Sequence, residues 1–176
     1  MRSCVAAVDY AYPWDELIAR FKFRGEPGWA GPMATLLLKT PAAVGLLQTC
    51  NLVVPVPLTP TRLARRGYNQ SWELVKALCR AAPDTSNHYN VLSDALVRLG
   101  EVPDQHSLTR EQRMRNLQGV FAAHPLRTVQ FNGAHVLLVD DVTTTGATLH
   151  SAAQALLKAG AQQVSALVFA RTAPDG

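Results

Sequence analysis

Cysteine is scarce in this chain: three residues in 176, at Cys4, Cys50 and Cys79, far apart and with no Cys-x-x-Cys spacing. An odd, scattered set supports neither a disulfide framework nor a zinc site, so the three are expected to be small buried hydrophobes. No apolar run approaches the roughly 18 residues that a membrane helix needs. The N-terminus carries no signal-peptide pattern, and a cytoplasmic protein is expected. The glycines form neither G-x-G-x-x-G nor G-x-x-x-x-G-K-[ST], which removes the usual dinucleotide and Walker-type loops. There is no internal repeat, no low-complexity segment, no polybasic run and no interleaving of aromatic and basic residues of the kind single-strand binders use.

What remains is one domain's worth of chain, 176 residues with 48% hydrophobic content, enough for a full core. The net charge is +4 and the pI about 9.2, and the kind of base says more than the sum. Arginine supplies 13 of the 17 basic residues, eight of them between Arg62 and Arg115. Arginine grips phosphate bidentately. Nucleic acid and a pyrophosphate-bearing small molecule ask for the same groups, so charge alone does not separate them.

The chain is organised around Val136 to Thr148, an apolar run that meets Asp140 and Asp141 and then breaks into Val142-Thr143-Thr144-Thr145-Gly146-Ala147-Thr148. The pattern predicts a buried strand ending in two acids, a hydroxyl-rich loop, and a helix from about Ala147 with Leu149, Ala153, Leu156 and Leu157 on one face and Gly160 as its stop. Val164 to Ala170 predicts the next strand, making a parallel crossover. Ligands of such sheets sit at the carboxyl strand ends, where the two acids fall. The amides of Thr144 to Thr148 lie at a helix N-terminus, which favours an anion, and Gly146 permits close approach or a positive φ. The loop suits a phosphate and the acids suit hydroxyl donors; a ribose 5-phosphate satisfies both. The simpler alternative is a strand-turn-helix whose threonines serve only as caps.

Earlier in the chain, Val5 to Tyr10 predicts a short strand. Trp14, Leu17, Ile18 and Phe21 predict a helix that closes at Lys22-Phe23-Arg24-Gly25, where the cations have two readings, functional groups or partners of the helix dipole. A second helix is expected from Trp29 to before Pro41, and Ala42 to Cys50 stays ambiguous. Asn51 to Pro57 reads as a strand ended by Pro55 and Pro57. It delivers Arg62, Arg65 and Arg66 to the same edge, either for ligand or as solvated surface charge. Asn69 or Ser71 caps a helix with Trp72, Val75, Leu78 and Cys79 on its apolar face. Residues 82–90 form a loop, and Val91 to Leu99 holds a strand carrying Arg98. Gly100 to Met114, with Gln105, His106, Arg110 and Arg113, is a surface loop or a mobile lid. Asn116 to Phe121 leads into an edge strand, and His124 to Gly133 connects it to the central one.

The apolar run, the acid pair and Val142 to Thr148 resemble the PRPP-binding motif of type I phosphoribosyltransferases. Other blocks resemble the ComF/GntX-type branch of that family: Lys22-Phe23-Arg24-Gly25, Val54-Pro55-Val56-Pro57, Arg62, Arg66-Gly67-Tyr68-Asn69-Gln70, and then Gln105, Leu108, Arg113, Asn116, Gly119 and Phe121. The resemblance implies an α/β type I phosphoribosyltransferase fold over residues 1–176. Its mainly parallel central sheet would be flanked by helices, with a small hood from about residues 1–48 over a core of about 49–172. It implies a pentosyltransferase that moves the 5-phosphoribosyl group of PRPP to an acceptor and releases pyrophosphate. The cofactor implied is Mg²⁺, held mainly by PRPP and water rather than by protein ligands.

In residue terms, Asp140 and Asp141 would be catalytic and ribose-binding. Thr143, Thr144, Thr145, Gly146, Ala147 and Thr148 would hold the 5′-phosphate. Lys22, Pro57, Arg62, Arg65, Arg66 and Arg113 would face pyrophosphate, with Arg66 also catalytic. The same resemblance supports an alternative, a non-catalytic PRPP sensor or a partner in DNA uptake by competent bacteria, with DNA or competence proteins as partners; it leaves a homodimer open. Two departures stand out. The cysteine-rich, zinc-ribbon-like segment with which family members commonly begin is not in this sequence, so zinc is not carried over. Gly100 and Val102 stand where relatives have an arginine and a threonine.

Overall fold

Val136, Leu137, Leu138 and Val139 are four consecutive apolar residues with no solvent exposure. A run like that fits a strand covered on both faces, and the computed structural model places it in the middle of β6 (His135–Thr143). The structure describes residues 1–82, 88–99 and 119–172. The expectations for 83–87 and for the 100–118 segment, including the lid, Gln105, His106, Leu108, Arg110, Arg113 and Asn116, lie outside those residues.

Four more strands join β6: β1 (Cys4–Asp9), β2 (Leu52–Pro55), β3 (Asn90–Val91) and β7 (Gln163–Arg171). They form one sheet in the order β1-β7-β6-β2-β3, every neighbouring pair parallel. A separate antiparallel pair joins β4 (Leu96–Arg98) to β5 (Phe121–Ala123). Among the described residues seven helices accompany them: α1 (Trp14–Phe23), α2 (Ala30–Leu38), α3 (Pro41–Thr49), α4 (Pro60–Arg66), α5 (Gln70–Ala81), α6 (Thr128–Phe131) and α7 (Ala147–Lys158). None of these helices alone is long and apolar enough to cross a membrane.

The alternation along β6 divides the interior in two. Val136 and Leu138, with Val54 of β2 and Ala166 and Val168 of β7, pack against Leu149, Ala153 and Leu156 of α7. Leu137 and Val139, with Val53, Leu167 and Phe169, pack against Ile18 and Phe21, Met33 and Leu37, Leu47, and Leu74 and Leu78 from α1, α2, α3 and α5. The N-terminal region therefore does more than the expected hood. β1 is an edge strand of the main sheet, and α1 to α3 complete one of its two cores, because their apolar faces have no other surface to bury. The end of α1 is the part that reaches the carboxyl edge.

Local chemistry explains the helices that the pattern left open. Pro41 at the first position resolves Ala42 to Cys50 as helix α3. The short α4, not foreseen, has Pro60 at its start, the Thr59 hydroxyl accepting from the Arg62 amide at 3.3 Å, and Gly67 at φ +83° as its stop. On α5 the buried stripe is Ser71, Leu74, Val75, Ala77 and Leu78, so Trp72 and Cys79 sit half-buried at its margin. Cys50 is buried as expected, whereas Cys4 and Cys79 are only partly so.

Asn69 caps α5. Its Oδ1 accepts from the amides of Ser71 (2.9 Å) and Trp72 (3.4 Å), while Nδ2 donates to the Val56 carbonyl at 3.1 Å. One side chain thus seats α5 and ties it to the exit of β2. Asn69→Ala should lower stability by about 1–2 kcal/mol in urea unfolding, and Asn69→Asp, which keeps the acceptor, by less. An unchanged unfolding midpoint in Asn69→Ala would show that this bridge carries no stability.

Candidate functional site at the carboxyl edge of the sheet

β2 and β6 are neighbours in the sheet, yet the helices that follow them cover opposite faces, α5 on one and α7 on the other. That reversal opens a crevice at the carboxyl ends of the two strands, the usual place for a ligand in an open α/β sheet. Asp140 and Asp141 stand at this edge and are almost wholly buried, at 7% and 1% exposure. β6 continues past them to Thr143, one turn of pleat further than the sequence suggests, because Val142 and Thr143 still pair with Ala170 and Arg171 of β7.

Asp140 is held on one oxygen. Its Oδ1 accepts from the Ser71 hydroxyl at 2.8 Å and from the amide of Asp141 at 2.9 Å. Burial, and next the negative charge of Asp141, push its carboxyl well above the ordinary range, to about 7, while Lys22 and the Ser71 bond pull the other way. Asp141 meets the ammonium of Lys22, 3.1 Å from Oδ2. That contact is ionic only. Oδ2 is buried and lacks a hydrogen bond of acceptable geometry, so its pairing is incomplete. Lys22, expected at the pyrophosphate, is here paired with an acid at the same strand exit.

Arg66 lies over the exposed ring of Phe23 at 5.4 Å and donates to Gln70 Oε1. Burial lowers its pKa and the charge of Asp141 raises it, which places the guanidinium within the field of the acid pair. Tyr68 donates its hydroxyl to the Phe21 carbonyl, anchoring the end of α1 from which Lys22 and Phe23 extend. Arg65 is exposed, and Arg62 and Pro57 are half-buried along the β2 exit.

The loop after β6 has the expected form with two refinements. Gly146 sits at φ +75°, and an added Cβ would meet nothing within 4 Å, so glycine is needed there for its backbone angle and not for space. The amide of Ala147 donates to the Thr145 hydroxyl at 3.4 Å, and the first intrahelical bond runs from the His150 amide to the Gly146 carbonyl at 2.8 Å. The amides of Thr148 and Leu149, in the first turn of α7, have no carbonyl behind them within the helix and supply the positive end of its dipole. Thr143 belongs to the strand; Thr144 is exposed, and Thr145 and Thr148 are half-buried.

The structure therefore gathers Asp140, Asp141, Lys22 and Arg66, and puts the Thr144–Thr148 turn on the same strand exit. Sequence reasoning missed Ser71 as a partner of Asp140, Tyr68 and Gln70 as struts, and Phe23 as a stacking surface. Phe23, Tyr68 and Gln70 stand in the blocks that carry the family resemblance, which marks the residues without giving their contacts, and Ser71 directly follows one of them. Two clefts among the described residues lie elsewhere. One of about 690 Å³ opens among Asn51, Asn90 and Asn132 at the opposite edge of the sheet, and one of about 380 Å³ runs along α7 beside Phe121, His150 and Lys158. Neither is lined by the acids.

Residues 92–175 match the model of a phosphoribosyl transferase domain. Over 96% of its length the chain is 36% identical to the DNA utilization protein YhgH of Escherichia coli K12, of which it covers 71%. It is 32% identical to competence protein F of Haemophilus influenzae, covering 92% of this chain and 69% of that one. To competence protein ComFC of Bacillus subtilis it is 30% identical, over 89% of this chain and 59% of that protein.

The raised carboxyl of Asp140 makes the stability of the ligand-free protein depend on pH in a definite direction. A native pKa above the unfolded one means that the folded state holds a proton the unfolded chain releases. The stabilisation is complete below about pH 4, the unfolded range of an aspartate, and is lost as pH rises through about 7. Unfolding midpoints should therefore fall across that window, and Asp140→Asn, which keeps an acceptor for Ser71, should flatten the fall. An identical slope in the variant would show that the acid is not the group responsible.

Proposed function

Because the chain belongs to the ComF-type phosphoribosyltransferase family, we propose that it binds PRPP and transfers its 5-phosphoribosyl group to an acceptor, with release of pyrophosphate. The observation that carries this reading is the buried acid pair one turn before a threonine-rich helix N-terminus. In the reaction the bond from C1 to the pyrophosphate oxygen breaks as the acceptor's nucleophile bonds to C1 and gives up its proton. The transition state has oxocarbenium character, so positioning and charge do most of the work. The turn from Thr144 to Thr148 holds the 5′-phosphate through hydroxyls and helix-end amides. Asp140 and Asp141 accept from the ribose hydroxyls and set negative charge near the developing cation. Arg66 faces the pyrophosphate, with Arg65 and Arg62 further along the β2 exit.

Among the described residues no cluster of three or more histidine, cysteine or acidic side chains gathers. Two carboxylates, one with the buried and under-bonded Oδ2 of Asp141, suit a magnesium ion whose other ligands come from the ligand and water. When bound, that ion would neutralise charge on the departing pyrophosphate. Calorimetry with PRPP and Mg²⁺ should show binding that Asp140→Asn with Asp141→Asn weakens by at least ~1.4 kcal/mol, a factor of ten. Unchanged affinity in the double variant would remove the ribose assignment. A screen of bases and amines for pyrophosphate release then looks for the acceptor.

The relatives' names, DNA utilization and competence, favour a second reading in which PRPP is a regulatory ligand and the arginines meet DNA or a partner protein. Arg66 separates the two. Pyrophosphate gains charge as it leaves, so a group aimed at it acts mostly in the transition state. With a working acceptor, Arg66→Ala should lower kcat by roughly tenfold or more while ribose 5-phosphate affinity holds. If the substitution instead weakens a salt-dependent DNA affinity and no acceptor is found, the transferase reading fails.

A further inference from the structure

Ser71 is wholly buried at the start of α5, and its hydroxyl donates to Asp140 across 69 residues of sequence. A buried serine in the first turn of a helix ordinarily turns its hydroxyl to a nearby backbone group. This one spends its proton on a carboxylate instead. The capping role falls to Asn69, whose Oδ1 takes the amides of Ser71 and Trp72. Ser71 is thus relieved of local duty and held in register by its predecessor.

Two donors, the Ser71 hydroxyl and the Asp141 amide, converge on the same oxygen, Oδ1. A carboxylate pinned twice through one oxygen has its plane fixed, and Oδ2 is the oxygen left for a ligand. Both donors bond more strongly to the ionised carboxylate than to the neutral acid, so they work against the protonation that burial favours. We propose that Ser71 is a positioning residue that makes Asp140 selective for a ribose hydroxyl. It does not touch the sugar; it sets the orientation and acceptor character of the group that does. This rests on the reading of Asp140 as a ribose-binding residue.

A site built to accept from a hydroxyl rejects the analogue that lacks it, so the quantity to measure is a ratio. Ribose 5-phosphate, 2-deoxyribose 5-phosphate and 3-deoxyribose 5-phosphate are titrated into wild type, Ser71→Ala and Ser71→Thr by calorimetry, with circular dichroism to confirm folding. The wild type should prefer ribose 5-phosphate over at least one deoxy analogue. Ser71→Ala should reduce that preference by roughly fivefold or more, chiefly by weakening ribose 5-phosphate, with affinity for the deoxy analogue nearly constant. Ser71→Thr, which keeps the hydroxyl, should restore it.

Equal weakening of all three ligands by Ser71→Ala would mean that Ser71 only holds the fold, and full preference retained in Ser71→Ala would mean that Asp140 needs no positioning; either result overturns the proposal. A wild type without preference would overturn the ribose reading itself, and this inference with it. Should Ser71→Ala fail to fold, Ser71→Cys, similar in size but a weak donor, takes its place under the same outcomes.

Discussion

Two carboxylates on adjacent residues, both nearly sealed from water, are the constraint on which the site depends. An unpaired buried charge is expensive, and two together repel, so the surroundings must supply cations and donors or force a proton on. The structure supplies a little of each: one ammonium on Asp141, one hydroxyl and one amide on Asp140, and a carboxyl raised toward neutrality. The compensation is incomplete, as the under-bonded Oδ2 of Asp141 shows. A core designed for stability alone would not keep such a pair, because buried ion pairs rarely repay their desolvation. The deficit is the kind that a ligand bearing hydroxyls and a cation can fill.

The groups that meet the acids come from far apart in sequence, and a short segment holds them together. In Tyr68-Asn69-Gln70-Ser71, each side chain ties a different element: Tyr68 the end of α1, Asn69 the exit of β2 and the start of α5, Gln70 the guanidinium of Arg66, and Ser71 the acid on β6. A tight turn followed by a helix start is well suited to this, since Gly67 reverses the chain and four successive side chains then point in different directions. Positioning by backbone-anchored groups is what an active site based on charge and orientation requires.

The sheet was legible in the sequence because its signal is local. Apolar runs at Val136–Val139, stopped by two acids, and at Val164–Ala170, stopped by Arg171, read as parallel strands without further help. The acids and the turn after them were equally visible, since residue type and order alone place them at a strand end. What could not be read is anything set by distance in space. Ser71 looked like a cap because capping is the local use of serine, and only the fold brings β6 within reach. Nothing in the sequence around Lys22 shows that Asp141 lies opposite it. The N-terminal helices could be counted but not placed, for an amphipathic pattern says that a face is buried and not against what. α4 is hard to read in the sequence because its arginine-rich stretch hides the cap and proline that start it.

The polarity of the edge bears on what it can hold. Acid lies at its centre, in Asp140 and Asp141; the positive end of α7 lies on one side, and Arg66 with the β2 exit on the other. A polyanion such as a nucleic-acid backbone would have to lay negative charge across the acids, where repulsion in a low-dielectric crevice is strongest. A small molecule with phosphate at each end and hydroxyls between them meets every group with the opposite character. The same arrangement accounts for Lys22: two adjacent buried acids need a cation, and the ammonium at the end of α1 lies 3.1 Å from Asp141. Charge arrangement, more than charge total, is what makes this edge better suited to a small phosphorylated sugar than to a polyanion.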